Sequence, residues 1–192
     1  MREKGHKRRF PALALLALVS LFSALSAVAS SGAWAIETLA KQAFLMDMAT
    51  GEVLFEKNGD QPMPPASMSK LMTIYMVFER LKAGTLSLDD KFLVSEKAWR
   101  KGGSKMFVKV NTRVSVRDLL HGIIVQSGND ACIVIAEGIS GSEEAFAEAM
   151  TRRGRQIGLT NSSFRNSTGW PDEEHNMSAR DIATLSQKII AE

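Results

Sequence analysis

The sequence predicts an α+β fold, because a single β-hairpin near the N-terminus is followed mostly by helices. Two strand-like runs at 42–48 and 52–56 are joined by residues 49–51 (Ala-Thr-Gly), a short glycine-containing connection that is typical of a hairpin. After residue 65, apolar residues recur mainly at helical spacing. Since an isolated hairpin is unstable, its apolar face is expected to pack on a helix or on further strands.

Residues 1–35 are predicted to be a secretory signal peptide. A basic start is followed by an apolar run at 10–19, and residues 33–35 (Ala-Trp-Ala) match the small-x-small pattern of a cleavage site. A second candidate cleavage site lies at 27–29, and an uncleaved membrane anchor is the alternative, because the apolar stretch is almost long enough to span a bilayer. Cleavage after residue 35 leaves residues 36–192 as one exported domain or part of one.

The positive charge of the chain is concentrated in that N-terminal segment. The first nine residues carry a net charge of +4, whereas the whole chain carries +3, so the remainder is slightly acidic. This distribution argues against a nucleic-acid partner. Cys132 is the only cysteine, which excludes an internal disulfide and indicates a small buried residue rather than a nucleophile.

Several helices and two short strands are predicted along the rest of the chain. The first helix begins near Ser67, after two prolines, runs to about Lys82 and is ended by Gly84. Short strand candidates lie on either side of a loop rich in glycine and serine, at 92–94 and 108–110. Apolar periodicity predicts further helices at 117–125, 131–137 and 143–156, and one that follows the capping-box sequence at 178–181.

Ser67 and Lys70 form the first candidate for chemistry. They lie three residues apart at the start of a predicted helix, and therefore on one face, one turn apart. Lys70 can take the proton of the Ser67 hydroxyl only if its pKa is depressed, which burial and the positive end of the helix dipole both favour. The free backbone N–H of Ser67 can stabilise an oxyanion. The alternative is a capping serine followed by a solvent-exposed lysine, because Ser-x-x-Lys alone is a frequent chance match.

Ser127, Gly128 and Asn129 form the second candidate. A glycine between two polar residues, flanked by apolar helical runs, indicates a tight connection within a buried region. Polar side chains there need partners, which a cleft beside the first helix would supply. In such a cleft Ser127 can relay a proton to a leaving amine, and Asn129 can hold a substrate amide. The alternative is a helix cap followed by a turn.

Together these motifs resemble those of a known superfamily. Residues 65–73 and 127–131 are similar to two of the three signature motifs of the penicillin-binding and serine β-lactamase superfamily, and more narrowly to serine-type D-alanyl-D-alanine carboxypeptidases, the low-molecular-mass penicillin-binding proteins. The resemblance covers nearly all of the chain after the signal, with further matches at 43–47, 103–107, 164–172 and 178–181. It implies a β-lactamase/transpeptidase-like fold, here incomplete, made of the N-terminal hairpin of the sheet and the helical subdomain.

The resemblance also implies a reaction and roles for four residues. Ser67 would attack the carbonyl between the two terminal D-alanines of a peptidoglycan stem peptide, and Lys70 would take its proton. Ser127 would pass a proton to the departing D-alanine, and Asn129 would position the substrate backbone. β-Lactams would acylate Ser67 as covalent inhibitors, with no cofactor and no metal involved. An exported member acts in the periplasm or at the outer face of the cytoplasmic membrane, often attached there by a C-terminal tail.

The third motif of the superfamily, Lys-Thr-Gly or Lys-Ser-Gly, occurs nowhere in the sequence. In the family this motif follows the second one, where it closes the cleft, supplies a second oxyanion N–H and binds the substrate carboxylate. We therefore expect residues 36–192 to be the N-terminal part of a catalytic domain, truncated before that motif. The alternatives to a carboxypeptidase are a D,D-endopeptidase, a serine β-lactamase of the same superfamily and an inactive fragment.

Two histidines invite other interpretations. Residues 172–175 (Asp-Glu-Glu-His) are interpreted as a solvated loop before a helix rather than as a metal site. A Ser-His-Asp triad through His121 is disfavoured, because His121 lies within a helix pattern.

Overall fold

Two small antiparallel sheets and six helices make up residues 37–191, the part of the chain that this computed structural model describes. The predicted signal peptide and its cleavage sites lie outside the described residues. The α+β prediction is confirmed, because one hairpin precedes a mainly helical arrangement. None of the helices within 37–191 has the length and apolar character needed to cross a membrane.

The predicted hairpin is confirmed. Strand β1 (Ala43–Met46) pairs antiparallel with β2 (Val53–Lys57), and β1 packs against the last helix of the chain. The Asp47 side chain closes the turn by accepting hydrogen bonds from the backbone N–H groups of Ala49 and Thr50. The connection is therefore fixed by a local Asx-type contact, in addition to its glycine.

The helices follow the predicted order. A 3-10 turn, Ala66–Ser69, leads into α1 (Lys70–Lys82). The others are α2 (Glu96–Arg100), α3 (Val116–Gln126), α4 (Asn129–Ser140), α5 (Glu143–Gln156) and α6 (Ala179–Ala191). Only the short α2 was not predicted. At the start of α6 the Ser178 hydroxyl accepts a hydrogen bond from the Asp181 N–H at 3.1 Å, as its capping sequence predicts.

The second sheet corrects one strand prediction. Strand β3 (Lys91–Leu93) pairs with β4 (Arg113–Ser115), and the predicted strand at 108–110 is not formed. The N–H of Val108 donates instead to the Asp130 carboxylate at 3.2 Å, and the chain then turns at Asn111, where φ is +61°. A side chain thus takes the donor that a strand would have offered to a neighbour.

Helix α4 lies at the centre of the fold. Its residues 131–136 are all fully buried, as expected for a helix that is apolar on every side, and it contacts α1, α2, α3, α5 and β3. The loops at 101–108 and 163–177 run beside the N-terminal ends of α4 and α1 respectively. Both sequence motifs therefore lie where a loop covers the beginning of a buried helix.

Candidate active site

The structure brings Ser67 and Lys70 together. The Lys70 Nζ donates a hydrogen bond to the Ser67 Oγ at 2.9 Å. Ser67 is exposed, whereas Lys70, at the first position of α1, is only 4% exposed. The predicted arrangement of a hydroxyl beside an amine is thus formed, with the hydroxyl accessible from solvent and the amine beneath it.

The surroundings of Lys70 favour its neutral form. Burial lowers the pKa of the Lys70 ammonium, and the nearby Cys132 thiol opposes this shift without reversing it. Among residues 37–191 no carboxylate forms a salt bridge with Lys70. An amine that loses its proton more readily than usual is the base that a serine nucleophile needs.

Cys132 is a structural neighbour of the pair. It is fully buried, and desolvation raises the pKa of its thiol to about 12. Because the thiolate is the reactive form, this cysteine stays protonated and inert at neutral pH. The interpretation of Cys132 as a small buried residue is confirmed.

The turn that carries Ser67 has an unusual backbone. Ala66 adopts a left-handed conformation with φ at +48°, which costs a non-glycine residue about 1–2 kcal/mol. The Met68 N–H donates to the Pro65 carbonyl at 3.2 Å, and within the described residues the Ser67 N–H donates to no acceptor. That N–H is therefore available to an oxyanion, as the sequence predicted.

A distant loop at 163–177 holds this turn in place. Gly169, with φ at +79°, lies so close that a Cβ atom on it would be 1.8 Å from the Ala66 carbonyl oxygen. One turn further along α1, the Thr73 hydroxyl donates to the Ser167 carbonyl at 2.8 Å. Glu143, at the start of α5, accepts hydrogen bonds from both the N–H and the hydroxyl of Ser167.

His175 belongs to the same loop, and its sequence interpretation is wrong. Residues 172–174 are exposed as expected, but His175 is only 2% exposed, and its Nε2 lies 2.6 Å from the Oγ of fully buried Ser69. An isolated bridge between Ser163 and Asn176 turns residues 175 and 177 inward. The alternation of His175 and Met177 could have indicated two inward-facing side chains. The acidic residues at 172–174 instead favoured the interpretation of the whole segment as a solvent-exposed loop.

Ser127 occupies a strained position at the end of α3. It adopts a left-handed conformation with φ at +55°, and its N–H donates to the Gly122 carbonyl. Within 37–191 no hydrogen bond joins its hydroxyl to Ser67 or Lys70. The assignment of Ser127 as a proton relay therefore stays a prediction.

Asn129 is the first residue of α4 and is anchored to the loop at 101–108. Its Nδ2 donates to the Gly102 carbonyl at 2.9 Å, and its N–H donates to the Ser104 carbonyl at 2.8 Å. These two contacts anchor the side-chain amide and the backbone of Asn129 to the loop. One turn later on α4, Cys132 interacts electrostatically with Lys70, so the beginning of α4 lies near the pair.

Asp130 is a residue whose role the sequence did not reveal. It is fully buried, and its carboxylate accepts hydrogen bonds from the N–H groups of Met106, Val108 and Ala131 at 3.0, 3.2 and 2.9 Å. An acidic residue in the first turn of a helix is ordinary, which is why its position gave no signal. Its structural role is to join α4 to the loop that also holds Asn129.

Exposed Trp170 and half-buried Lys101 lie together beside Asn129. The Lys101 Nζ lies 3.9 Å from the centre of the Trp170 ring, a cation–π contact. Between them and Asn129 lies Gly103, where a Cβ atom would be 2.7 Å from the Asn129 Nδ2 and 3.3 Å from the Trp170 ring. Within 37–191 no group of three His, Cys, Asp or Glu residues is arranged to hold a metal ion.

Comparison with known proteins identifies related sequences and structures. A family model described as D-alanyl-D-alanine carboxypeptidase, peptidase S11, matches residues 27–192. The D-alanyl-D-alanine carboxypeptidase DacF of Bacillus subtilis is 41% identical over 151 residues, which are 79% of this chain and 39% of that protein. A D-alanyl-D-alanine endopeptidase of Pseudomonas aeruginosa is 32% identical over 183 residues, covering 89% of this chain and 57% of that protein.

The solved structures show the same fold. Penicillin binding protein 5 from Haemophilus influenzae superimposes with a TM-score of 0.78 at 41% identity, over 81% of this chain and 46% of that one. The predicted transpeptidase-like fold, present in part, is thereby confirmed. The chain spans less than half the length of DacF and of this penicillin-binding protein.

Proposed function

Because the chain belongs to the D-alanyl-D-alanine carboxypeptidase family of peptidases, S11, we propose that its Ser67 is the nucleophile of a serine carboxypeptidase that removes the terminal D-alanine from peptidoglycan stem peptides. The observation that carries the proposal is the 2.9 Å contact between an exposed Ser67 hydroxyl and a buried Lys70 amine. Family membership supports the substrate class, and the geometry supports Ser67 as the nucleophile and Lys70 as its base.

The reaction begins with proton transfer across that contact. Neutral Lys70 takes the hydroxyl proton as the Ser67 Oγ attacks the carbonyl carbon between the two D-alanines. The developing oxyanion accepts a hydrogen bond from the Ser67 N–H. Collapse of the tetrahedral intermediate breaks the peptide bond. Ser127 gives its hydroxyl proton to the departing amine and regains one from the Lys70 ammonium, so the proton taken from Ser67 ends on the leaving group and Lys70 is neutral again. Asn129 holds the substrate backbone, and water then hydrolyses the acyl-enzyme.

β-Lactams are proposed as covalent inhibitors by the same route. The strained amide of the β-lactam is attacked by the Ser67 Oγ, and the acyl-enzyme forms by opening of the ring. A relative named penicillin binding protein at 41% identity supports this part of the proposal. The predicted signal peptide supports a location in the periplasm or at the outer face of the cytoplasmic membrane.

The test of nucleophile and base is labelling by a fluorescent penicillin, followed by intact-protein mass spectrometry. We expect one adduct per chain, its loss in Ser67→Ala, and a rate at least ~100-fold slower in Lys70→Met, because the base is gone. Lys109→Met, at an exposed lysine, is the matched control and should label like the wild type. An unlabelled wild-type chain, or a Ser67→Ala variant that still labels, would overturn the proposal for this chain.

The type of reaction is tested with peptides. A monomeric peptide that ends in D-Ala-D-Ala should release free D-alanine, whereas a cross-linked dimer should remain intact. The endopeptidase alternative has support from a relative at 32% identity, against 41% for the relative named carboxypeptidase. Cleavage of the dimer alone would favour the endopeptidase, and steady turnover of penicillin would favour a β-lactamase.

A further inference from the structure

We propose that His175 is a positioning residue for acylation, which holds the turn of Ser67 and Lys70 through a hydrogen bond from its Nε2–H to the Ser69 hydroxyl. The proposal rests on the proposed function, because it assigns His175 a part in the reaction of Ser67. It concerns a buried histidine 106 residues away from its partner in the sequence.

The hydrogen bonds of the imidazole define its tautomer. The Arg165 N–H donates to the His175 Nδ1 at 3.2 Å, so Nδ1 carries a lone pair and no proton. In a neutral imidazole the proton is then on Nε2, which lies 2.6 Å from the Ser69 Oγ and donates to it. Both ring nitrogens are therefore occupied, one as an acceptor and one as a donor.

The imidazole has little freedom to move. The ring is 2% exposed and meets Phe164 edge-to-face, with ring centres 5.6 Å apart and planes at 88°. Ser69 is fully buried, so no bulk water can replace the lost partner if the histidine is removed. The hydrogen bond between His175 and Ser69 therefore joins the loop at 163–177 directly to the 3-10 turn Ala66–Ser69, which is called the nucleophile turn.

The nucleophile turn depends on support from outside. Neither the 3-10 turn nor α1 has a side-chain cap, and Ala66 is in a strained conformation. Ser69 directly precedes Lys70 and lies two residues after Ser67, so its displacement would lengthen the 2.9 Å contact between the pair. A small increase in this distance should lower the acylation rate strongly, because proton transfer requires that the two atoms lie within hydrogen-bond distance.

Protonation of His175 would disturb this arrangement. A second ring proton at Nδ1 would face the Arg165 N–H, and two donors cannot share a hydrogen bond. Asp172 and Glu143 favour the imidazolium and Arg165 opposes it, but burial has the largest effect and lowers the pKa of His175. The neutral, competent form is thus present at neutral pH and is lost as the solution becomes acidic.

Two variants separate a positioning role from a merely structural one. His175→Gln keeps an N–H donor for Ser69 but does not titrate, whereas His175→Phe keeps an aromatic ring and has no donor. We expect the penicillin acylation rate to fall roughly 10- to 100-fold in His175→Phe and to be restored to within about 3-fold of wild type in His175→Gln. Equal rates in wild type and His175→Phe would overturn the proposal.

The pathway through Ser69 is tested by a double-mutant cycle. Ser69→Ala removes the other partner of the same hydrogen bond, so its effect on the acylation rate should not add to that of His175→Phe. Fully multiplicative effects would show that His175 acts by another route.

The pH profile is the second readout. The wild-type acylation rate should fall at acidic pH as His175 is protonated, and this decrease should be absent from His175→Gln. The same decrease in both proteins would contradict the proposal. This test does not require His175→Phe to fold, because it compares only the wild type and His175→Gln.

A measurement without acylation distinguishes failure of this proposal from failure of the proposed function. The chemical shift of the Lys70 Cε is followed by NMR as a function of pH in wild type and His175→Phe. Loosening of the turn admits water, so the Lys70 pKa should return toward that of an ordinary lysine in His175→Phe and stay low in His175→Gln. An unchanged Lys70 titration in His175→Phe would overturn the positioning role, whether or not the wild type reacts with penicillin.

Discussion

The two motifs of the site are both strained turns that enter buried helices, but they are held in different ways. Ala66 and Ser127 each adopt a positive φ, and neither α1 nor α4 has a side-chain N-cap. The turn at 66–69 is held by neutral groups of the loop at 163–177, which is about a hundred residues away in sequence. The turn at 127–130 is held to the nearer loop at 101–108, chiefly by the Asp130 carboxylate.

This difference in support predicts that the two turns differ in their sensitivity to substitution and to pH. The buried Asp130 carboxylate, which accepts hydrogen bonds from three backbone N–H groups, holds the side around Asn129, the proposed substrate-binding residue, which is called the substrate side. Contacts between neutral groups, one of them the imidazole of His175 and another the Ser167 carbonyl, hold the side around Ser67, the proposed nucleophile, which is called the nucleophile side. We therefore expect a variant or a change of pH to affect one side more than the other.

The largest expected effect is a steric one on the nucleophile turn. In Gly169→Ala the new methyl group would overlap the Ala66 carbonyl, and the free energy of unfolding should fall by about 3–5 kcal/mol. Gly141→Ala is the matched control, because φ there is +80° and no atom lies within 4 Å. The free energy of unfolding of Gly141→Ala should fall by only about 1–2 kcal/mol, the cost of a left-handed conformation for a residue with a Cβ atom. Urea unfolding measures both, and equal losses would contradict a close contact at Gly169.

A somewhat smaller effect is expected on the other turn. Asp130→Ala leaves three backbone N–H groups without their acceptor, and the free energy of unfolding should fall by about 2–4 kcal/mol. Asp130→Asn should lose less, because its Oδ1 still accepts from Met106 and Ala131. Hydrogen exchange of the Met106 and Val108 amides is the local measurement, and amides that stay protected in Asp130→Ala would refute the assignment.

Acid should weaken the nucleophile side more than the substrate side. Because burial lowers the pKa of His175 in the folded state, the unfolded chain binds more protons below its usual pKa of about 6.5. The stabilisation is therefore complete above that value and is lost as the pH falls below it. The melting temperature should drop more between about pH 7.5 and 5.5 in wild type than in His175→Gln. Parallel curves would rule out a contribution from His175.

The smallest effect is expected at the surface, away from both turns. Arg100 and Glu96 form an exposed i,i+4 ion pair on α2, with side chains 68% and 65% exposed. Arg100→Ala should change the free energy of unfolding by less than about 1 kcal/mol and leave penicillin labelling unchanged. A larger fall in the free energy of unfolding would contradict the expectation that exposed ion pairs contribute less to stability than the contacts of the two buried turns.

Local features of the site could be predicted from sequence, and long-range ones could not. Ser67 and Lys70 are three residues apart, so helical geometry alone brings them together, and the hairpin and most helices follow from periodicity and turn residues. The partner of Ser69 is 106 residues away, which no periodicity encodes. The false strand at 108–110 has the same origin, because the donor of Val108 is taken by Asp130 in another element.

The neutral support of the nucleophile turn has a consequence for ionic strength. Its contacts are made by hydroxyl, imidazole and carbonyl groups, and Lys70 itself is buried without a carboxylate salt-bridge partner among residues 37–191. Dissolved salt screens exposed charges over about 8–10 Å but leaves neutral, buried contacts unchanged. The direct contacts of the turn that carries Ser67 and Lys70 are therefore expected to be insensitive to dissolved salt, whereas the ion pair of exposed Lys97 with Glu143, which holds Ser167, is not.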